Sequence, residues 1–585
     1  MTYQPESWDL TELGKEKSRV WGETQLEQLK KQCDQLVSFK DSFVETISDS
    51  EFLKFLNLLE SFTTLESRLV QFSYLWFSEN TKDPDALAFK SKVSLTAADL
   101  SNELLFFHLR FVRFSPSNIE RLIKAAPQCA YMLRELAKKK EHMLAEEQEK
   151  IINIKDANGV SKLYSVYNIF TNGFTYEWDG KNVTQSEVMQ NAHNPDPALR
   201  EKAYKMVLGR YRENEAVLGE IYQGIVLDWQ KENLDLRGYK SSISVRNSAN
   251  DVPDEAVSIL LSLAEKNKDI FSKYFALKAK QLGTTKLRRF DLYAPIQKPE
   301  KKISYAEGVE MVLDTFKHFH QSFYDGAKKM IDHKHLHSSI AKGKMSGGYC
   351  YGSDPRVMPY ILINYTDDAE SVSTLAHELG HGLHYMFASK DHNIFHVNSA
   401  LPIAETASIF SETLLINKLK EKFPDLFVSL SFDQLDRIYA SIGRQLEFVN
   451  FEVAAHALIL KGASVKEVKD LYLTRLCNHF GEHVDVSDDY ANEWNYVPHI
   501  YDRPFYCYAY GFGNLLSLCV FAKYQELGAP FAEKIIQALA AGGSMPPRDI
   551  VKILGFDICD ESFWQSGFDI IRTFVDDLET HMTSK

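Results

Sequence analysis

Two histidines four residues apart, with a glutamate between them, stand in Thr374-Leu-Ala-His377-Glu378-Leu-Gly-His381-Gly-Leu-His384. On a helix, residues four apart share one face, so two imidazoles can reach a single Zn²⁺ while the intervening glutamate sits beside its fourth coordination position. A zinc ion held this way polarises a carbonyl and lowers the pKa of its bound water. Glu378 can then take that water's proton and pass it to a leaving amine, which is peptide hydrolysis without a covalent intermediate. Asp367 or Asp368, just upstream, can cap the helix and fix its start.

A third ligand is needed. The metzincin pattern would continue with Gly and then His, but positions 384 and 387 are His and Phe. The thermolysin-like and related aminopeptidase spacings fall near Ala400 and Leu401, which cannot bind metal. Glu405 and Glu412 lie seven apart on a helical segment that opens with Pro402, hence on one face. Glu405 is read as the third ligand to one zinc ion per chain, and Glu412, two turns further on, as a carboxylate that orients a ligating imidazole. His384 is read as structural, because a catalytic site keeps an open position. The run His333-Lys-His-Leu-His337 looks metal-like but has no matching acid or cysteine, and is read as a solvated loop.

The elements that must position these groups are mostly helices. Apolar residues recur at three and four positions over Glu51 to Phe77, Leu122 to Ile152 and Val252 to Leu282. The clearest strand is Pro359 to Tyr365, preceded by a Gly-rich turn or short hairpin over Gly343 to Gly352. An exposed edge on the strand Tyr360 to Asn364 could hold an extended peptide by main-chain hydrogen bonds. Breaks near Tyr176 to Asn194 and near Asp291 to Lys302 suggest an N-terminal helical lobe over 1–190 and a catalytic lobe over 191–585.

A net charge of -13 argues against a sequence-independent grip on nucleic acid. The first residues are polar and acidic, no run of about 18 apolar residues follows, and the expectation is a cytoplasmic protein with no membrane partner. Seven scattered cysteines without a CxxC pair fit reduced thiols rather than a disulfide framework. No obligate protein partner is evident.

A second cluster, Trp494 to Gly513, places a histidine and four tyrosines within twelve residues, from His499 to Tyr510. Such groups can donate hydrogen bonds to the negative charge that hydrolysis builds on the former carbonyl oxygen.

The chain resembles the M3 metallopeptidases, and within them the oligoendopeptidase F branch. The resemblance runs from Trp8-Asp-Leu-Thr-Glu-Leu13, through Gly347-Gly-Tyr-Cys350 and His377 to His381, to Leu554-Gly-Phe-Asp557, and Ala404 to Ser408 matches the family's third-ligand helix. It implies a mainly α, elongated helical body enclosing a deep substrate channel, with a small β element beside the zinc helix. It implies a zinc-dependent endopeptidase acting on short unfolded oligopeptides, with His499, Tyr501 and Tyr508 as donors to substrate or oxyanion. Tyr506 and Tyr510 stand one alignment slip away from that role. A dipeptidyl carboxypeptidase has similar zinc spacing, and a non-catalytic peptide-binding protein with a metal staple would have no need of Glu378.

Overall fold

Ser48 accepts a hydrogen bond from the Glu51 main-chain N–H while Glu51 reaches back to Ser48, and this reciprocal cap starts a helix that runs Asp49–Glu79. The first predicted helix is thus one continuous element. The second, Leu122 to Ile152, is divided into Pro116–Ala125, Ala130–Lys138 and Glu146–Asn158. Pro127, which lacks an N–H, ends the first of these pieces. The third is almost continuous, as Asp254–Lys266 and Lys268–Gln281 on either side of Asn267.

The computed structural model describes residues 3–296 and 301–583, so residues 297–300 of the expected break at Asp291 to Lys302 lie outside the described residues. Helices dominate, accompanied by three small sheets. No helix among the described residues is long and apolar enough to cross a membrane.

The chain forms two compact units, each assembled from three stretches. The first comprises 1–141, 300–418 and 523–555; the second comprises 142–299, 419–522 and 556–585. Consecutive lobes divided at residue 190 do not describe this arrangement. The reason is packing: helix Val160–Asn172 lies against Glu215–Gln230, and helix Ala529–Ala540 lies against Ala369–Ala388. Each amphipathic segment is buried against partners remote in sequence.

In the first unit, a three-stranded sheet precedes the helix that carries the histidines. Tyr360–Leu362 lies in the middle, parallel to Leu336–His337 and antiparallel to Tyr349–Tyr351. All three of its residues are buried, so it reads as a continuous apolar run rather than an alternation. The expected peptide-holding edge is therefore not on this strand. The edge beside the histidine helix is Tyr349–Tyr351, inside the Gly-rich stretch. Lys344 ties the region together by donating to the carbonyls of His337, Ser339 and Ile363 at 2.9, 2.7 and 2.6 Å.

Only the start of the run His333 to His337 is solvated: His333 and Lys334 are exposed, whereas the residues from His335 to His337 are buried. His335 is wholly buried, stacked on Tyr360 at 4.1 Å with its Nδ1 3.2 Å from Pro359 O. His337 pairs in the sheet and meets the edge of Trp8 at 5.3 Å. These imidazoles serve as flat core side chains, which the polar neighbours in the sequence conceal.

The second unit holds the break at Tyr176 to Asn194, which is a hairpin of Tyr176–Trp178 with Lys181–Val183 followed by short helical turns. Its turn residues Asp179 and Gly180 have φ of 50° and 77°, as a tight two-residue hairpin requires. A short parallel pair, Leu287–Arg288 with Val484–Asp485, completes its β content among the described residues.

Candidate active site

The Asp368 carboxylate accepts from the Ser371 main-chain N–H at 2.7 Å and starts the helix Ala369–Ala388. His377 and His381 follow one turn apart, with ring centroids separated by 4.9 Å. Their Nε2 atoms lie 3.6 and 3.5 Å from one oxygen, Oε2 of Glu405. Glu405 sits at the junction between the turn Leu401–Ala404 and the helix Thr406–Lys422. Gly380 lets this junction approach, because a Cβ there would lie 2.7 Å from both Ala407 O and Ser408 Cα.

Glu412 touches the opposite side of His377, with Oε2 3.3 Å from Nδ1. By accepting from Nδ1–H, Glu412 turns Nε2 toward Glu405, the nitrogen that a metal would bind on displacing its proton. Two serines that spacing did not disclose complete the support. Ser373 donates to Glu412 Oε1 at 3.1 Å, and Ser408 donates to Glu405 Oε2 at 2.9 Å. Short hydroxyls on helices carry no sequence signal for such a role.

Two imidazole nitrogens and one carboxylate oxygen within 4.8 Å of one another form a donor set suited to zinc. Bond lengths near 2.0–2.1 Å in a tetrahedron correspond to ligand separations of about 3.3 Å. The 3.5 and 3.6 Å found here fit that group closely.

Glu378 is buried, and its Oε2 has no hydrogen-bond partner. Burial pushes its carboxyl up to about 7; His377 opposes the shift, and the neighbouring carboxylates of Glu405 and Glu412 reinforce it. Burial pulls His381 and His384 down to about 4, so both favour the neutral imidazole. His377 is raised to about 9: burial lowers it, but the hydrogen bond to Glu412 and the surrounding carboxylates prevail. His384 is fully inside the protein and forms part of the site's lining.

Glu378 and the three donors open on a cavity of about 550 Å³, bounded on one side by the edge strand Tyr349–Tyr351 and on another by Val397 to Ser399. Gly348 keeps that wall thin, since a Cβ there would come 3.2 Å from Glu378 Oε1.

Residues 190–570 match the sequence profile of Peptidase family M3, well over half of the chain. The chain belongs to peptidase family M3. As an M3 protein it is a metallopeptidase, and the His377, His381 and Glu405 group is its candidate metal centre. It is 25% identical over 500 residues to an oligoendopeptidase F homolog from Borreliella burgdorferi, covering 83% of each chain. It is 24% identical over 470 residues to oligopeptidase PepF of Bacillus subtilis, covering 77% of this chain and 68% of that one. The fold is similar to the crystal structure of oligoendopeptidase-F from Enterococcus faecium, with a TM-score of 0.72 at 18% identity, covering 96% of this chain and 100% of that chain.

The tyrosine cluster of this M3 peptidase belongs to the second unit. Tyr501 is buried; its hydroxyl lies 2.8 Å from Asn495 Oδ1 and 3.3 Å from Leu218 O, and its ring stacks on Tyr167 at 4.0 Å. Tyr508 is also buried, and its hydroxyl accepts from Asn250 Nδ2 at 2.8 Å. Both hydroxyls are hydrogen-bonded within their own unit, Tyr501 as donor and Tyr508 as acceptor. His499 is half-buried and stands with Tyr506 and Tyr510, at centroid separations of 5.6 and 6.0 Å. Those three side chains retain surface where Tyr501 and Tyr508 do not.

Proposed function

We propose that this M3 peptidase is a zinc-dependent endopeptidase that hydrolyses internal bonds of short unfolded oligopeptides, with Glu378 as general base. The observation that supports it most directly is the convergence of His377 Nε2, His381 Nε2 and Glu405 Oε2 beside the unpartnered, buried Glu378. Bound by those three residues, zinc would supply a Lewis acid and a water of lowered pKa. The Glu378 carboxylate would take a proton from the attacking water and return it to the departing amine. A peptide extended along Tyr349–Tyr351 can add a strand to the sheet, a mode that relies on main-chain bonds and tolerates many side chains.

The names of the relatives from Borreliella burgdorferi and Bacillus subtilis support the oligopeptide and endopeptidase parts of the proposal. His499, Tyr506 and Tyr510 are proposed as the donors to substrate, in preference to the engaged hydroxyls of Tyr501 and Tyr508. Seven scattered cysteines without a CxxC pair support a reducing, cytoplasmic location.

The test is Glu378→Gln, which preserves side-chain size and both imidazoles. The variant should retain about one zinc per chain and lose several orders of magnitude in the cleavage of an internally quenched peptide blocked at both ends. Near-normal turnover by metal-loaded Glu378→Gln would overturn the base assignment. Failure of the wild type to cut the doubly blocked peptide, with release of dipeptides from a free C-terminus, would instead identify a dipeptidyl carboxypeptidase.

A further inference from the structure

The second unit contains a cavity of about 250 Å³ that the peptidase reaction does not use. Arg289 and Arg444 both face it, together with Glu493, Tyr293 and Tyr490. The Arg289 side chain is 2% exposed and donates from Nη2 to Glu493 Oε1 at 2.6 Å. Arg444 Nη2 donates to the same oxygen at 3.2 Å, and the Tyr472 hydroxyl donates to Glu493 Oε2 at 2.9 Å.

One carboxylate therefore serves two guanidiniums. Burial alone would raise Glu493, but Arg289 and Arg444 outweigh burial and hold its carboxyl below the usual range. The nearby Asp436 is no second counterion, because it lies 2.6 Å from Lys278 Nζ. Two guanidiniums share one carboxylate at the cavity, Arg289 buried and Arg444 with 25% of its side chain exposed, an imbalance that a bound anion would offset.

The donors tell the same story. Arg444 Nε and the hydroxyls of Tyr293 and Tyr490 are buried and meet no hydrogen-bond acceptor, whereas Arg289 has the Tyr204 hydroxyl beside it as an acceptor. Tyr204 lies beside Arg289, and the Arg289 guanidinium stacks over the Tyr490 ring at 4.7 Å. Burial keeps Tyr293 and Tyr490 protonated, so their oxygens can donate. Unmatched buried donors are rare in native proteins, and three at one cavity mark a place for an acceptor.

Met189, Ala192, Val207 and Leu208 give the cavity an apolar wall, and His193, Tyr204 and Tyr496 complete the lining. The space is about eight times the share of one water in the liquid. We infer that this cavity binds a small monocarboxylate, its carboxylate held by Arg289, Arg444, Tyr293 and Tyr490 and its apolar body against Val207 and Leu208. An inorganic anion would satisfy the charge but leave that apolar wall without contact.

Isovalerate is a suitable probe, with 3-methylbutanol as its uncharged counterpart and chloride and inorganic phosphate as anions without an apolar body. Calorimetry and thermal unfolding of the full chain should show isovalerate binding at one site and raising Tm. Tyr293→Phe and Tyr490→Phe should each weaken that binding about 10-fold, the usual scale for a hydrogen bond to a charged group. Because the deleted hydroxyls have no partner, both variants should unfold at the wild-type temperature or higher without ligand. Absence of isovalerate binding, or binding unchanged by both substitutions, would overturn the site. An equal rise in Tm with the alcohol, chloride or phosphate would overturn the assignment to a carboxylate. A lower ligand-free Tm for the Phe variants would refute the unmatched hydroxyls on which the inference rests.

Discussion

Replacing Gly380 by alanine should push apart the histidine helix and the junction that carries Glu405, the two elements of the candidate metal centre. The new Cβ would fall 2.7 Å from Ala407 O and from Ser408 Cα, main-chain atoms that no side-chain rotation can move aside. Ordinary contact begins at 3.4 Å, so the backbones must separate by about 0.7 Å. Ser408 is the residue whose hydroxyl orients Glu405, and its displacement would carry that carboxylate away from His377 and His381. Loss of such an orienting contact typically costs about 10–100-fold in metal affinity. Overpacking costs about 1–3 kcal/mol, against a gain of about 1 kcal/mol for alanine over glycine in a helix. Zinc affinity by competition with a chromophoric chelator should therefore fall about 10–100-fold, with a stability loss by urea unfolding of roughly 0–2 kcal/mol. Gly382→Ala is the control, because its Cβ would meet the sulfur and terminal methyl of Met330 at 2.6 and 2.9 Å, the flexible end of a side chain. It should bind zinc normally. Unchanged zinc affinity in Gly380→Ala, or an equal loss in Gly382→Ala, would refute the reasoning.

Glu405→Ala should lose both metal and activity, whereas Glu412→Ala should weaken metal affinity or rate by about 10–100-fold; metal analysis giving the reverse order would exchange their roles. Tyr506→Phe or Tyr510→Phe should lower kcat by about 10²–10³ with KM little changed. Tyr501→Phe and Tyr508→Phe should instead cost about 1 kcal/mol of stability at near-normal kcat, since their hydroxyls are bonded within the second unit. A large kcat loss confined to Tyr508→Phe would restore the role implied by the family resemblance. As pH rises, kcat/KM should increase through the range in which Glu378, pushed up to about 7, gives up its proton, because only the carboxylate can act as base. A rate that stays constant on acidification to about pH 5 would contradict that role.

The parts of the site that sequence disclosed are those fixed by local geometry. His377, Glu378 and His381 are legible because helical spacing alone brings them to one face, and Asp368 because a cap is adjacent to the helix it starts. Glu405 and Glu412 are legible as a pair seven apart, and in the fold one contacts His381 and the other His377. Features made by long-range pairing were hidden. Tyr360–Leu362 is central rather than an edge because strands on both sides pair with it, a fact absent from its own composition. The buried His335 and the engaged hydroxyls of Tyr501 and Tyr508 depend likewise on distant partners. Arg289 reads as half of an ordinary basic pair with Arg288, and only its meeting with Glu493 and Arg444 reveals unmatched buried donors.

The interleaving of the first unit sets an order of events during synthesis. Helix Ala529–Ala540, which packs against the helix bearing His377 and His381, leaves the ribosome about 140 residues after it, roughly 10–30 s later at ordinary elongation rates. During that interval all three metal ligands have been made, but part of the wall that holds their helix in place has not. A metal ion arriving then meets a pliant set of side chains rather than a finished cradle. Selectivity for one metal over another would then be set only once helix Ala529–Ala540 has docked.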